Sequence, residues 1–267
     1  MTDVLESIVQ KTRERLAEQK RRVSQDELER SLSGRSKPRG FAKALRQSGG
    51  MSVIAELKQA SPSAGIIREE RDLPGRVQAY TRGGAAALSI LTEEYYFHGS
   101  SEILEIARKE TEIPILRKDF IIDPYQLTES ALIGADAVLL ITTLLDLSQL
   151  RELLAHARSL GLDALVETHQ VRDVEKALKS EADVIGVNHR DLRTLQMNMS
   201  LSKTLLPMIP KDKTRVVESG IKQPSDLAIY RELGAHAVLI GETLMRAADA
   251  QAAVRTFVEA GFAGKGA

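Results

Sequence analysis

The octapeptide GADAVLLI, Gly134 to Ile141, opens on a helix-stopping glycine and runs straight into apolar residues. The same pattern returns as GAAALSIL from Gly84 and as GAHAVLIG from Gly234, at offsets of 50 and 100 residues. Glycine reaches the left-handed backbone conformation that ends a helix. The residues after it are apolar in succession rather than in alternation, which marks a strand buried on both faces, hence parallel, with helices outside. Two strand–helix units per 50 residues give about 25 residues a unit. On that spacing the chain predicts strands over 52–57, 86–91, 114–118, 136–141, 163–167, 183–188, 214–218 and 236–240. Amphipathic helical stretches such as SSEILEIARKE, DLSQLRELLAHARSL and QPSDLAIYRELG lie between them. Eight such units imply a (β/α)8 TIM barrel. The competing open, doubly wound sheet does not account for the even count.

Before the repeats, Val4, Leu5, Ile8, Val9 and Leu16 recur at helical spacing between charges. Lys20, Arg21 and Arg22 read as a solvated helix face rather than a binding patch. SLSGRSKPRGF, Ser31 to Phe41, reads as a loop from its Gly, Pro and Ser. The expected organisation is an N-terminal helical extension over 1–48 and a barrel catalytic domain over 49–267, forming one structural domain overall.

With 37 basic and 37 acidic residues the chain is neutral, which argues against a nucleic-acid partner. Cysteine is absent, so there is no disulfide framework, thiolate nucleophile or Cys-ligated zinc. No apolar run approaches the roughly 18–20 residues of a membrane span, and the N-terminal charges mix both signs, unlike a transit peptide. No membrane association and a cytoplasmic location are therefore expected. The five histidines form no H-x-x-x-H or H-E-x-x-H pair, so no metal site is expected. His189 is expected to face outward.

Active sites of such barrels lie at the C-terminal ends of the strands. Period-two geometry sorts the polar residues there. If Ile54, Leu116, Leu165 and Gly186 face the axis, then Glu56, Lys58, Lys118, Glu167, Asn188 and Arg190 converge above it. Arg117 and Asp119 then point at helices as structural ion pairs. Buried charges of mixed sign rarely add stability. Perturbed pKa values are expected among them, and acid–base catalysis uses these. A desolvated lysine beside another cation serves as a general acid near neutral pH or as a Schiff-base amine. ESGI (Glu218–Ile221) and IGETLM (Ile240–Met245) place glycine directly after strands 7 and 8, where backbone N–H groups and a helix start suit a phosphate. Ser61 and Ser63 add hydroxyl donors, and Glu242 is expected to point away from the anion.

Taken in order, IAELKQASPSAG, LTEEYYFHGS, PILRKDFIIDPYQ, GADAVLLI, LVETH, IGVNHRDL, VVESGI and LIGETLM resemble the characteristic segments of the indole-3-glycerol phosphate synthase family. The resemblance implies a decarboxylating, dehydrating ring closure of 1-(2-carboxyphenylamino)-1-deoxyribulose 5-phosphate in tryptophan biosynthesis, without cofactor or metal. It implies Lys118 as the general acid, Glu56 and Lys58 as the dehydration pair, and Glu167 as the other catalytic carboxylate. Lys58 would also hold the substrate carboxylate. Asn188 and Arg190 would orient the substrate, and Glu218 would contact its hydroxyls. Ser61, Ser219, Gly220, Gly241 and the Glu242 backbone would form the phosphate and substrate shell, and Phe120 the aromatic pocket. The implied partners are a phosphorylated small molecule and other tryptophan-pathway enzymes, with the chain a monomer or weak dimer. Competing readings are phosphoribosylanthranilate isomerase, which relies on a cysteine this chain lacks, a Schiff-base aldolase, and a non-catalytic phosphate-sugar-binding barrel.

Overall fold

In the computed structural model, which describes residues 4–47 and 49–262, eight parallel strands close into a barrel in chain order. They are β1 (Ser52–Leu57), β2 (Ala87–Leu91), β3 (Ile115–Lys118), β4 (Ala137–Ile141), β5 (Asp163–Thr168), β6 (Val184–Asn188), β7 (Thr214–Glu218) and β8 (Ala237–Ile240). Closure is made by β1, which pairs with β2 from Ile54↔Ala87 and with β8 from Ser52↔Ala237. Each predicted strand is present to within a residue at either end. The glycines of the echo carry the turns assigned to them, with φ of +94°, +88° and +80° at Gly84, Gly134 and Gly234.

Parity along the strands separates two cores. Val53, Ala55, Val138 and Leu140 face the surrounding helices. Ile54, Leu116, Leu139, Leu165, Val216 and Leu239 fill the barrel itself. Between strands, α4 (Pro124–Leu132) starts with Asp123 accepting from the Tyr125 N–H and proline in its first turn. In α5 (Leu147–Ser159) Asp146 and Gln149 form a capping box.

The N-terminal segment does two jobs. Helix α1 (Val4–Arg22) lies over the C-terminal mouth, where Leu5, Ile8 and Val9 pack with Phe120 and Ile141. Helix α2 (Gln25–Ser31) begins with a Ser24–Glu27 capping box and reaches α4 through Gln25 and Thr128 at 3.2 Å. The chain then descends the outside of the barrel, where Arg35 donates to the Leu160 carbonyl and the Arg39 N–H to Asp136 Oδ1. Sequence reading carries the helical extension to residue 48 but marks no separate helix after this loop. It is followed by α3 (Phe41–Gln47), which closes the N-terminal end of the barrel. There the Ala42 N–H donates to Asp163, the Ser52 hydroxyl to the Leu45 carbonyl, and Phe41 and Leu45 are wholly buried.

Among the described residues no helix is long and apolar enough to cross a membrane, and no group of three or more His, Asp or Glu side chains is placed to hold a metal ion.

Candidate active site

A cavity of about 670 Å³ occupies the C-terminal mouth. Glu56, Lys58, Lys118, Glu167, Asn188 and Arg190, the inward set by parity, all line it. So do Ser61, Phe120, Glu218, Ser219, Gly220, Gly241 and Glu242. Their complement on β3 turns outward: Arg117 lies 3.1 Å from Asp119 and 2.7 Å from Glu129, among helices. Asp119 also touches the cavity wall and receives Arg15 of α1 at 2.9 Å.

At the centre stands Lys118. Its Nζ is 3.3 Å from Glu167 Oε2 and 3.6 Å from Glu218 Oε2. Burial works to lower its pKa, but Glu167, Glu218 and Glu56 outweigh burial and raise it. This corrects the sequence expectation of a lysine beside another cation. Lys118 sits among carboxylates and keeps its proton through neutral pH. It is thus suited to donate a proton to an oxygen that becomes more basic during a reaction, and unsuited to the free amine a Schiff base requires. Lys58 forms a separate pair, Nζ to Glu56 Oε2 at 2.7 Å.

Two glycines, one within β6 and one just after β8, make room for the carboxylates. A Cβ on Gly186 would collide with Glu218 Oε1, and one on Gly241 with Glu56 Oε2. Glu242 points along its own helix to Arg246, 3.0 Å away, and leaves the glycine turn open as expected.

The turn after β7 is left-handed at both Ser219 (φ +68°) and Gly220 (φ +81°). His189 braces it. This side chain does point away from the axis, yet it is fully buried rather than solvated, with Nδ1 3.0 Å from the Ser219 carbonyl and Nε2 2.7 Å from the Ser202 hydroxyl. A carbonyl only accepts, so Nδ1 carries the proton and Nε2 accepts from Ser202. Burial lowers the His189 pKa, and the neutral ring holds the turn.

Sequence reading missed four contributors. Ser89, on β2 opposite Glu56, is buried with its hydroxyl unpartnered among the described residues. It was hidden inside an apolar run. His169 places Nε2 3.3 Å from Glu167 Oε1; its position two residues beyond Glu167 was the available signal. Phe97 faces Phe120 with ring centroids 6.1 Å apart. Glu93 holds that Phe97 loop by accepting from the backbone N–H groups of Tyr95, Tyr96 and Phe97. The result is an aromatic wall on one side, acids and ammonium groups at the floor, and hydroxyls and glycine turns opposite. Such a site accepts an aromatic group joined to an anionic, hydroxylated chain.

The chain matches the family model described as indole-3-glycerol phosphate synthase over residues 5–257. It is 44% identical over 257 residues to the indole-3-glycerol phosphate synthase of Campylobacter jejuni subsp. doylei, covering 96% of this chain and 100% of that protein. It is likewise 44% identical over 252 residues to the one of Acidithiobacillus ferrooxidans, covering 93% and 96%. Among solved structures, KGPDC from Streptococcus mutans superposes with a TM-score of 0.60 at 14% identity, covering 79% of this chain and 97% of that one. Thiamine phosphate pyrophosphorylase from Pyrococcus furiosus does so with 0.58 at 16% identity, covering 81% and 96%. These structural likenesses establish the barrel fold alone.

Proposed function

This chain belongs to the indole-3-glycerol phosphate synthase family, and from that premise we propose that it catalyses the family's ring closure. The substrate is 1-(2-carboxyphenylamino)-1-deoxyribulose 5-phosphate, the products indole-3-glycerol phosphate, carbon dioxide and water. The observation that carries the reading is Lys118 Nζ between Glu167 and Glu218 on the floor of the family-spanning barrel.

Phe97 and Phe120 flank the anilino ring. Ser61 and the backbone of Ser219, Gly220, Gly241 and Glu242 receive the phosphate, because left-handed and glycine turns expose N–H groups to an anion. Arg190 and Asn188 orient the carboxylate and hydroxyls, and Glu218 faces the sugar chain. Stretching the substrate between these ends brings the ring carbon onto the keto carbon.

As the carbon–carbon bond forms, the keto oxygen gains negative charge and takes a proton from Lys118, whose ammonium is retained at neutral pH. Carbon dioxide leaves the ring carbon and aromaticity returns. The new hydroxyl then departs as water with a proton from Lys58, while a carboxylate takes the proton lost from the neighbouring methylene. Glu56, already paired with Lys58, and Glu167 are placed for that exchange.

Incubation of the purified protein with the anilino-deoxyribulose phosphate should generate indole fluorescence and release carbon dioxide. Silence in both readouts at micromolar enzyme would refute the assignment.

A further inference from the structure

Three carboxyl groups and two ammonium groups face one another at the floor of the cavity: Glu56, Glu167 and Glu218 against Lys58 and Lys118. Glu56 takes Lys58 at 2.7 Å. Glu167 and Glu218 are left to share Lys118. Arg190 does not settle the imbalance, since its Nη1 donates to the Leu195 carbonyl. The three carboxyls are almost wholly shielded from water, at 3%, 0% and 1% exposure. A surplus buried carboxylate is relieved by taking up a proton.

The neighbours of the two acids differ. Glu167 has Lys118 at Oε2, His169 Nε2 at 3.3 Å from Oε1, and the Asn188 side chain close enough to favour its ionised form. Glu218 has Lys118 at the longer 3.6 Å, and its carboxyl lies against Gly186 and close to Leu165. Among the described residues neither Glu218 oxygen finds a donor. Both carboxyls reach the same Lys118 ammonium, and Glu218 Oε1 lies over Gly186, the strand partner of Glu167, so a proton shared between the two acids turns two opposed acceptors into a hydrogen bond.

We propose that Glu218 is held as the neutral carboxylic acid in the resting protein, donating to an ionised Glu167, and that His169 is the positioning residue that decides which of the two keeps the proton. The charged neighbours of Glu218 are Lys118 on β3, Glu167 on β5 and Glu56 on β1. On β6 it meets only neutral Gly186 and Asn188. The His169 backbone N–H donates to Asp173 Oδ2, and Asp191 feels the charge of its ring. Burial and the Glu167 charge push the Glu218 carboxyl well above the usual carboxylate range. Burial also acts to raise Glu167, but Lys118 and His169 outweigh it and hold Glu167 below its ordinary value. A neutral Glu218 has an O–H to offer a sugar oxygen, which a carboxylate lacks. The protonation state belongs to the resting protein, so it is tested without turnover, and only the kinetic arm rests on the proposed ring closure.

Infrared absorption spectra of the substrate-free protein at about pH 7, where an ordinary glutamic acid (about 4.3) is ionised, should show the carbonyl stretch of a protonated carboxyl. Glu218→Gln should abolish that band. Glu167→Gln should abolish it too, because Lys118 then has one carboxylate to itself. No band in the wild type, or a band that survives Glu218→Gln, overturns the proposal. In turnover, Glu218→Gln keeps a neutral hydrogen-bond donor and should lower kcat by about tenfold or less, whereas Glu167→Gln should cost about 10²-fold or more. Equal losses overturn the placement of the proton on Glu218. His169→Gln should move the acid limb of the kcat profile to higher pH, since Glu167 loses a neighbour that favours its ionised form. An unmoved limb removes His169 from the pair.

Discussion

Replacing Asp119 by Asn removes one charge from the buried junction between the N-terminal helix and the strand that carries Lys118. Asp119 Oδ2 is 2.9 Å from Arg15 and 3.1 Å from Arg117, and it accepts from the Thr92 hydroxyl at 2.7 Å. Burial alone would raise its pKa. Arg15 and Arg117 overcome that and bring it from 3.8 to about 2. The lowering is nearly two units, worth roughly 2–3 kcal/mol at about 1.4 kcal/mol per unit. The folded-state value is depressed, so this stability is complete above the unfolded value of 3.8 and disappears as pH falls through about 2. Arg117 keeps Glu129 at 2.7 Å and Arg15 keeps Glu94 at 3.6 Å, so neither cation is stranded by the change. The expected loss at pH 7 is therefore about 3 kcal/mol, at the lower edge of the 3–5 kcal/mol seen when a buried charge loses its whole pairing. For a chain of this size that lowers Tm by about 6–12 °C. Melting both proteins by circular dichroism at pH 7 and pH 3 tests the origin of the effect. The gap between them should shrink by about half at the lower pH, because wild-type Asp119 is by then losing its advantage. A gap that stays constant with pH, or a loss under about 1 kcal/mol at pH 7, would refute the electrostatic account of this junction.

Lys118→Ala should abolish turnover while a phosphate-bearing substrate analogue still binds, as measured by calorimetry; wild-type-like turnover would remove Lys118 from the acid role. Deleting residues 1–32 takes away α1 and α2, including Ile8 from the cavity wall, and should raise KM while far-UV circular dichroism stays barrel-like. Deleting residues 1–47 also removes the buried Phe41 and Leu45 of α3, at a cost of several kcal/mol each. It should leave a barrel that no longer melts cooperatively; equal Tm values for the two truncations would count against α3 as the plug.

The barrel is legible in the chain because its repeats are punctuated by glycines at fixed offsets and its strands are apolar on both faces. The inward rim is legible for a second reason: once one residue of a strand is placed, parity places the rest. Ile54, Glu56 and Lys58 follow that rule, and so do Leu116 and Lys118. What escapes is whatever depends on contacts across elements. Ser89 stands in an apolar run and acquires meaning only opposite Glu56. Glu93 reads as a loop charge until three backbone N–H groups converge on it. Helix α3 has seven residues, too few for a periodic signal, and forms because it docks under the barrel. The pKa of Lys118 is equally invisible, since it is set by carboxylates on three other strands.

The strand that carries the central lysine is also among the least secured by its ladder. β3 has four residues and meets β4 through two register pairs, Leu116↔Ala137 and Arg117↔Val138. A slip of one residue would send Lys118 to the helices and Arg117 into the cavity. The outward side chains oppose that slip. Arg117 donates to the Thr92 hydroxyl, the Gln126 carbonyl and the Ser130 hydroxyl, and pairs with Asp119 and Glu129. A buried guanidinium with this many fixed partners has no equivalent place one residue away, so register is set by polar geometry where the backbone pairing is short. The alternation in ILRKD therefore divides the work. Arg117 and Asp119 fasten the strand to α4 and, through Arg15, to α1, while Lys118 between them is left free of structural duty and faces Glu167 and Glu218. Chemistry and anchoring occupy adjacent residues because opposite faces of a strand are the closest two positions that never compete for the same partners.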